Sequence, residues 1–384
     1  MIPRSILPPN PRHSFFLFGP RGTGNTTWLT AAYPGAAVLD LLTASTYHEF
    51  LRNPSHLEAW ADAHVRPGEP LVIDEVQRLP ELLNEVHRLI ERKRYVFALT
   101  GSSARKLRRG GTNLLAGRAL LKQMHPFTAA ELGAAFDLRR SLQYGQLPGA
   151  YFHDDPGAYL KAYVGAYLRE EVQIEAQIRN LGLFSQFLEA ATFSQASVLS
   201  VANVARECGV DRKTAEHYFT LLEDLMIGIR LPVFRRRAKR KLVVHPKFYF
   251  FDAGVFGALR PRGPLDPQDE IQGAAIETLV LQELRATIAN HNLDYQLSYW
   301  RSVRKEEVDF ILYGASGLVA IEVKRASRFV QDDLIGLREF VKDYPGAKAY
   351  FLYGGSQRLT FGEIDVIPLE TAVKSWLALI APGR

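Results

Sequence analysis

Short apolar runs alternate with helix-length stretches along the first part of the chain. Phe15-Phe16-Leu17-Phe18 is followed by a glycine-rich turn from Gly19 to Gly24 and a helical pattern from Thr26 onward. Ala36 to Leu39, Leu71 to Ile73, Tyr95 to Leu99 and Leu120 to Met124 are also strand-length, and Pro80 to Arg92 has helical spacing. Uninterrupted apolar strands separated by helices predict a parallel sheet with helices on both faces.

The pattern then changes. A helical region runs from about Pro156 to Leu225 and ends in two strands flanking a basic stretch, around Ile227–Phe234 and Leu242–Phe251. Pro261, Gly263, Pro264 and Pro267 read as a linker. Beyond it, a helix over Ile271 to Ala289 and strands at Gln296–Arg301, Val308–Leu312 and Leu318–Val323 predict a second α/β domain.

Length and composition fit this division. The 384 residues suggest two or three domains, and 47% hydrophobic with 23% charged residues describes globular domains rather than disorder. Apolar runs are strand-sized, so no membrane span is expected. The first residues carry prolines instead of an apolar stretch, so a secretory leader is not expected and a cytoplasmic location is. Cys208 is the sole cysteine, which excludes a disulfide framework and a multi-cysteine metal site. The net charge of +6 is uneven: +4 over 1–160 (18 basic, 14 acidic), +6 over 161–262 (16 against 10) and −4 over 263–384 (13 against 17). Clustered positive charge points to a polyanion or to a solvated basic face.

Three constellations carry chemistry. The first is Gly19, Pro20, Arg21, Gly22, Thr23, Gly24, Asn25, Thr26 and Thr27, which fits the phosphate-binding pattern G-x-x-x-x-G-K-[ST] except at Asn25. Backbone N–H groups of such a loop and its helix bind phosphate, and Thr26 would ligate Mg²⁺. Asn25 stands where Lys would place a full charge on the β- and γ-phosphates. Either an introduced change that traps nucleotide or natural degeneration explains it, and the otherwise intact equipment favours the former. Leu71-Val72-Ile73-Asp74-Glu75 reads as a Walker B strand, with Asp74 holding Mg²⁺ and Glu75 activating water. Ser102 or Ser103 would sense the γ-phosphate from the tip of the next strand. Arg118 would act as a finger on a neighbouring copy's nucleotide, which predicts a closed homo-oligomer.

The second is a helix-turn-helix. Val201, Val204 and Ala205 share one helical face, Cys208-Gly209-Val210 makes the turn, and Asp211 caps a second helix carrying Thr214, His217 and Tyr218. It is followed by a wing rich in Arg235, Arg236, Arg237, Lys239, Arg240 and Lys241, a candidate for DNA phosphate contact. The third is acidic. Asp309 and Glu322 are hard oxygen donors for a second Mg²⁺, Glu277 lies on the preceding helix, and Lys324 shares a strand face with Glu322. The order matches the PD-(D/E)xK nuclease pattern, or a salt-bridge network in a fold that has lost catalysis.

The blocks Phe16 to Leu29, Val72 to Leu83, Leu99 to Leu120, Lys247 to Gly254 and Trp300 to Lys324 together resemble a bacterial and archaeal family of AAA-type P-loop ATPases. That family carries a C-terminal domain of unknown function related to PD-(D/E)xK nucleases. Tyr144 to Pro148 resembles its glycine–proline motif, with Gln146 where Gly is usual. The resemblance implies an arm over 1–13, an α/β AAA-type ATPase core over 14–155, a helical and winged-helix lid over 156–262 and a restriction-endonuclease-like α/β domain over 263–384. ATP and Mg²⁺ are the implied cofactors. The resulting expectation is an ATPase acting on DNA, branched or single-stranded, as a remodelling or translocating motor or switch, with hydrolysis impaired by Asn25. Two alternatives stand beside it: a nucleotide-controlled protein-interaction switch with an inactive scaffold, and an ATP-gated, Mg²⁺-dependent nuclease.

Overall fold

A computed structural model describes residues 2–101, 114–167, 180–236, 244–264 and 266–381. The chain divides into two compact units: Arg4–His125 with Asp224–Met226, and Pro126–Glu223 with Ile227–Arg384 and Met1–Pro3. The longer stretch of the first unit ends at His125.

The first unit holds a parallel sheet in the order β2-β3-β4-β1-β5, formed by β1 (Ser14–Phe18), β2 (Ala37–Asp40), β3 (Leu71–Asp74), β4 (Phe97–Gly101) and β5 (Ala119–Gln123). Both faces are buried, which is why β1 is apolar without alternation. Phe16 and Phe18 pack with Leu39, Phe50, Leu82 and Leu89 on one face. Phe15 and Leu17 pack with Ile6, Trp28 and Met124 on the other. Each large side chain buried this way contributes roughly 1.5–3 kcal/mol. Ile6 and Arg4 draw the proline-rich arm into this unit: Ile6 is buried, and Arg4 donates to the backbone oxygens of Thr23 and His125.

The second unit contains two sheets. Helices Val201–Glu207 and Arg212–Asp224 are joined through the turn at Cys208 to Asp211. Asp211 Oδ1 accepts from the N–H groups of Lys213 and Thr214 at 2.9 and 3.0 Å, satisfying otherwise orphaned donors at the helix start. Val204, Ala205, Ala215, Phe219 and Leu222 form the buried faces. A small antiparallel sheet follows in the order β6-β8-β7, from β6 (Ser197–Val198), β7 (Gly228–Leu231) and β8 (Lys247–Phe250).

The other sheet has six strands in the order β13-β14-β12-β11-β10-β9. β9 (Gln296–Arg301), β10 (Glu307–Gly314) and β11 (Gly317–Lys324) form an antiparallel meander. β12 (Lys348–Tyr353) and β14 (Ile364–Pro368) extend it in parallel, and β13 (Leu359–Phe361) closes the edge. The helix Gln268–Asn290 packs on it through Ile276, Val280, Leu281 and Leu284.

Candidate functional site

The phosphate loop runs from Gly19 to Gly24, between β1 and the helix Asn25–Ala32. Its shape is set locally. Buried Thr23 folds back, with its N–H and Oγ1 donating to Pro20 O at 3.2 and 2.7 Å. Gly22 and Gly24 have φ of 82° and 95°, a region costly for residues with a Cβ. A Cβ at Gly19 would lie 2.6 Å from Met124 O, so the backbone approach there needs glycine. No side chain caps the helix at Gly24, which leaves its first-turn amides for an anion. Arg21, Gly22, Thr26 and Thr27 are exposed, and Asn25 is half-buried.

Asp74, at the end of β3, meets this loop. Thr26 Oγ1 donates to Asp74 Oδ2 at 2.9 Å, across the tip of the intervening strand β4. Thr100, at that tip, donates through Oγ1 to Asp74 Oδ1 and accepts the Glu75 N–H at 3.3 Å. Glu75 has left-handed backbone angles, φ 59° and ψ 44°, and its carboxylate accepts from Gln77 Nε2 at 2.5 Å. A non-glycine residue held in that region is strained by roughly 1–3 kcal/mol, a cost that clusters at functional turns. Asn25 Nδ2 lies 3.5 Å from Gly101 O, at the limit of a hydrogen bond, while its buried Oδ1 has no partner. These residues fit a magnesium nucleotide. Thr26 and Asp74 are paired oxygen donors for the metal, the loop amides suit phosphate, and the Asn25 carboxamide has an unmet polar atom.

Thr100 escaped the sequence reading, although a lone polar residue in the apolar strand Phe97-Ala98-Leu99-Thr100 was its signal. Ser102 and Ser103 lie outside the described residues. Arg118 pairs with Glu91 and its guanidinium holds that carboxyl below the usual range. Arg118 precedes Ala119, which is in register with Ser14 at the start of β1. The loop follows the far end of β1, a strand's length of roughly 13–17 Å away. Arg118 therefore lies at the end of β1 opposite the loop.

The acidic cluster is built in the second unit. Asp309 on β10 and Glu322 on β11 face each other across an antiparallel pair, and β10 shifts register against β9 between Val308 and Ile311. Such a bulge re-aims side chains. Asp309 Oδ2 accepts the Val323 N–H at 3.0 Å, and Glu322 Oε2 accepts the Asp309 N–H at 3.3 Å. Glu322 Oε1 is 3.2 Å from Lys324 Nζ. Glu277 Oε2 accepts from Tyr249 OH at 2.9 Å. A residue given no role from sequence completes the group: Lys247 Nζ lies 3.0 Å from Asp309 Oδ1, 3.3 Å from Glu277 Oε2 and 2.5 Å from Glu307 Oε1. Burial and the adjacent Asp309 push the Glu277 carboxyl up to about 7 and raise that of Glu322 as well. Burial works against the Lys247 charge, but its carboxylate neighbours outweigh it and raise its pKa. Among the described residues, no group of three or more His, Cys, Asp or Glu is placed to hold a metal ion. The second Mg²⁺ expected on Asp309 and Glu322 would compete with the cations already beside them, Lys247 on Asp309 and Lys324 on Glu322.

The basic segment differs from a simple hairpin wing. β7 ends at Leu231, and Val233 instead bridges to Tyr299 on β9, with the Phe234 N–H donating to Tyr299 O at 2.6 Å. Phe234 is buried against Tyr313, Phe340 and Tyr344, and this apolar burial draws the chain onto the six-stranded sheet. Arg235 donates to Val244 O at 2.9 Å, and Arg236 lies over the Tyr313 ring at 4.9 Å. Arg237, Lys239, Arg240 and Lys241 lie outside the described residues.

Comparison with known proteins divides the chain into three segments. Residues 11–133 match the model of an AAA domain. Residues 135–266 and 272–372 match two domains of unknown function, DUF8612 and DUF4143. No curated protein matches the chain. Among solved structures, protein VC1899 from Vibrio cholerae is 12% identical with a TM-score of 0.24, covering 97% of this chain and 100% of its own. Can2 from Sulfobacillus thermosulfidooxidans, solved with cyclic tetra-adenylate, is 11% identical with a TM-score of 0.23, covering 96% and 97%. At those scores neither carries weight for fold or function. No helix among the described residues is long and apolar enough to cross a membrane. The domain match and the parallel sheet together support an AAA-type ATPase.

Proposed function

We propose that the chain is an ATP-binding switch or motor that acts on DNA, with hydrolysis slowed by Asn25. The observation that carries the nucleotide part is the Thr26–Asp74–Thr100 constellation beside an uncapped, glycine-shaped loop. When bound, Mg²⁺ supplies positive charge to the phosphates. Thr26 and Asp74 would hold it. The loop amides bind and orient the phosphate chain. Glu75, fixed by Gln77 and its left-handed turn, orients the attacking water and takes its proton. Asn25 offers a neutral donor where a cation is needed, so binding survives and turnover is slow. Arg118 completes the site from a second copy in a closed homo-oligomer.

Support for DNA comes from the winged-helix arrangement of Val201–Glu207, Arg212–Asp224 and the β7–β8 pair, with the dense basic run between those strands. Exchanging the six basic residues from Arg235 to Lys241 for Gln should weaken binding and flatten its salt dependence by about one unit of slope per lost phosphate contact. A panel of single-stranded, duplex, forked and four-way DNA, with and without ATP, tests this directly. Binding that ignores both the exchange and the salt removes the wing from the account. A second reading, a nucleotide-controlled protein-interaction switch, draws support from the acidic cluster already holding a lysine. Absence of DNA binding at physiological salt would favour it.

A further inference from the structure

We propose that Lys247 is the resident cation of the acidic cluster, and that the cluster is a metal-free joint fastening β8 to the six-stranded sheet. The proposal does not depend on whether the ATPase acts on DNA or on a protein.

The geometry is specific. Lys247 is 2% exposed and reaches Asp309, Glu277 and Glu307, which come from β10 and the long helix. Its backbone is held on both sides, in register with Val198 of β6 and Leu231 of β7. That pairing fixes the point from which the side chain reaches the carboxylates. Both oxygens of Asp309 and of Glu322 already have partners. Asp309 gives one oxygen to Lys247 and the other to the Val323 amide. Glu322 gives one to Lys324 and one to the Asp309 amide. Mg²⁺ demands near-ideal octahedral oxygen coordination at about 2.0–2.1 Å, which an ammonium in the middle of the cluster prevents.

The arrangement nearly offsets its charges, with four carboxylates against three cations. Glu277, Glu307, Asp309 and Glu322 face Lys247, Lys324 and Arg301, the last 3.2 Å from Glu307. Buried carboxylates need a cation, and a buried lysine needs carboxylates, so each group makes the other tolerable. A lysine on a strand can link three elements permanently, whereas a bound metal would make the same link depend on supply.

The test uses the full chain without nucleotide and Mn²⁺ as the probe, followed by calorimetry and electron paramagnetic resonance. The unaltered protein should show no Mn²⁺ binding tighter than about 1 mM, the weak end of protein carboxylate sites. Lys247→Met, checked for folding by circular dichroism, should acquire Mn²⁺ binding at least roughly tenfold tighter, because an uncompensated carboxylate group is left behind. Adding Asp309→Asn should abolish the gain. Tight Mn²⁺ binding by the unaltered protein that Asp309→Asn removes overturns the proposal, as does a folded Lys247→Met that gains nothing. If Lys247→Met does not fold, the unaltered protein and Asp309→Asn still decide it.

Discussion

Two polar centres sit at strand ends in this chain, and lysine distinguishes them in opposite senses. The phosphate loop lacks the lysine its pattern requires and keeps a pair of oxygen donors, Thr26 and Asp74, at 2.9 Å. The acidic cluster has the metal-ligand pattern but contains a lysine, Lys247, bonded to three carboxylates. The first is a centre prepared for charge it does not itself supply. The second has supplied its own. The same residue type, absent in one place and present in the other, separates a site that waits for a ligand from one that is already satisfied.

The contrast can be broken most severely at Lys247. Lys247→Met strips the cation from buried carboxylates and should cost about 3–5 kcal/mol of stability by denaturant titration. Asp309→Asn should cost less, since Glu277 and Glu307 still hold the lysine. Equal losses would mean that the cluster is not organised around Lys247. At the loop, Asn25→Lys should raise ATP turnover by roughly 10²–10³ by restoring a charge-stabilising group. Identical rates for the two forms would show that position 25 does not limit hydrolysis.

A smaller effect separates a buried acid that lacks a cation from one that has it. Burial lifts the Glu283 carboxyl from 4.5 to about 8. The folded chain then keeps a proton that the unfolded chain has released, so stability falls as pH rises from about 4.5 through about 8. Glu283→Gln keeps an acceptor for the Ala129 N–H, now bonded at 2.7 Å, and removes the titration. The variant should be more stable than the parent near pH 8, by a few kcal/mol at most, and no more stable near pH 4.5. Parallel stability–pH curves for the two would show that Glu283 is ionised in the fold.

Legibility followed the range of the interactions. The loop's glycines, Thr26 and Asp74 were readable because a phosphate loop is local and its partner strand follows at a familiar spacing. Helix Gln268–Asn290 was likewise legible from its apolar residues, and strand β9 from Leu297, Tyr299 and Trp300. Lys247 was not, because its partner Asp309 lies 62 residues away and only tertiary packing joins them. Thr100 gave one polar letter at a strand tip, too little to assign a role before Asp74 was seen beside it. The course of Val233 and Phe234 also depended on packing: a hairpin and a crossing to β9 use the same apolar residues, and burial of Phe234 decided between them. Strands β12 to β14 went unread despite the apolar run Ala349 to Tyr353, since no motif drew attention to it.

The most direct test of the contrast is a Mn²⁺ titration of the unaltered chain by electron paramagnetic resonance, without and then with ATP. The account predicts no tight Mn²⁺ without nucleotide and one ion per chain with it, lost in Asp74→Asn. Tight Mn²⁺ in the absence of ATP, or none in its presence, would contradict it.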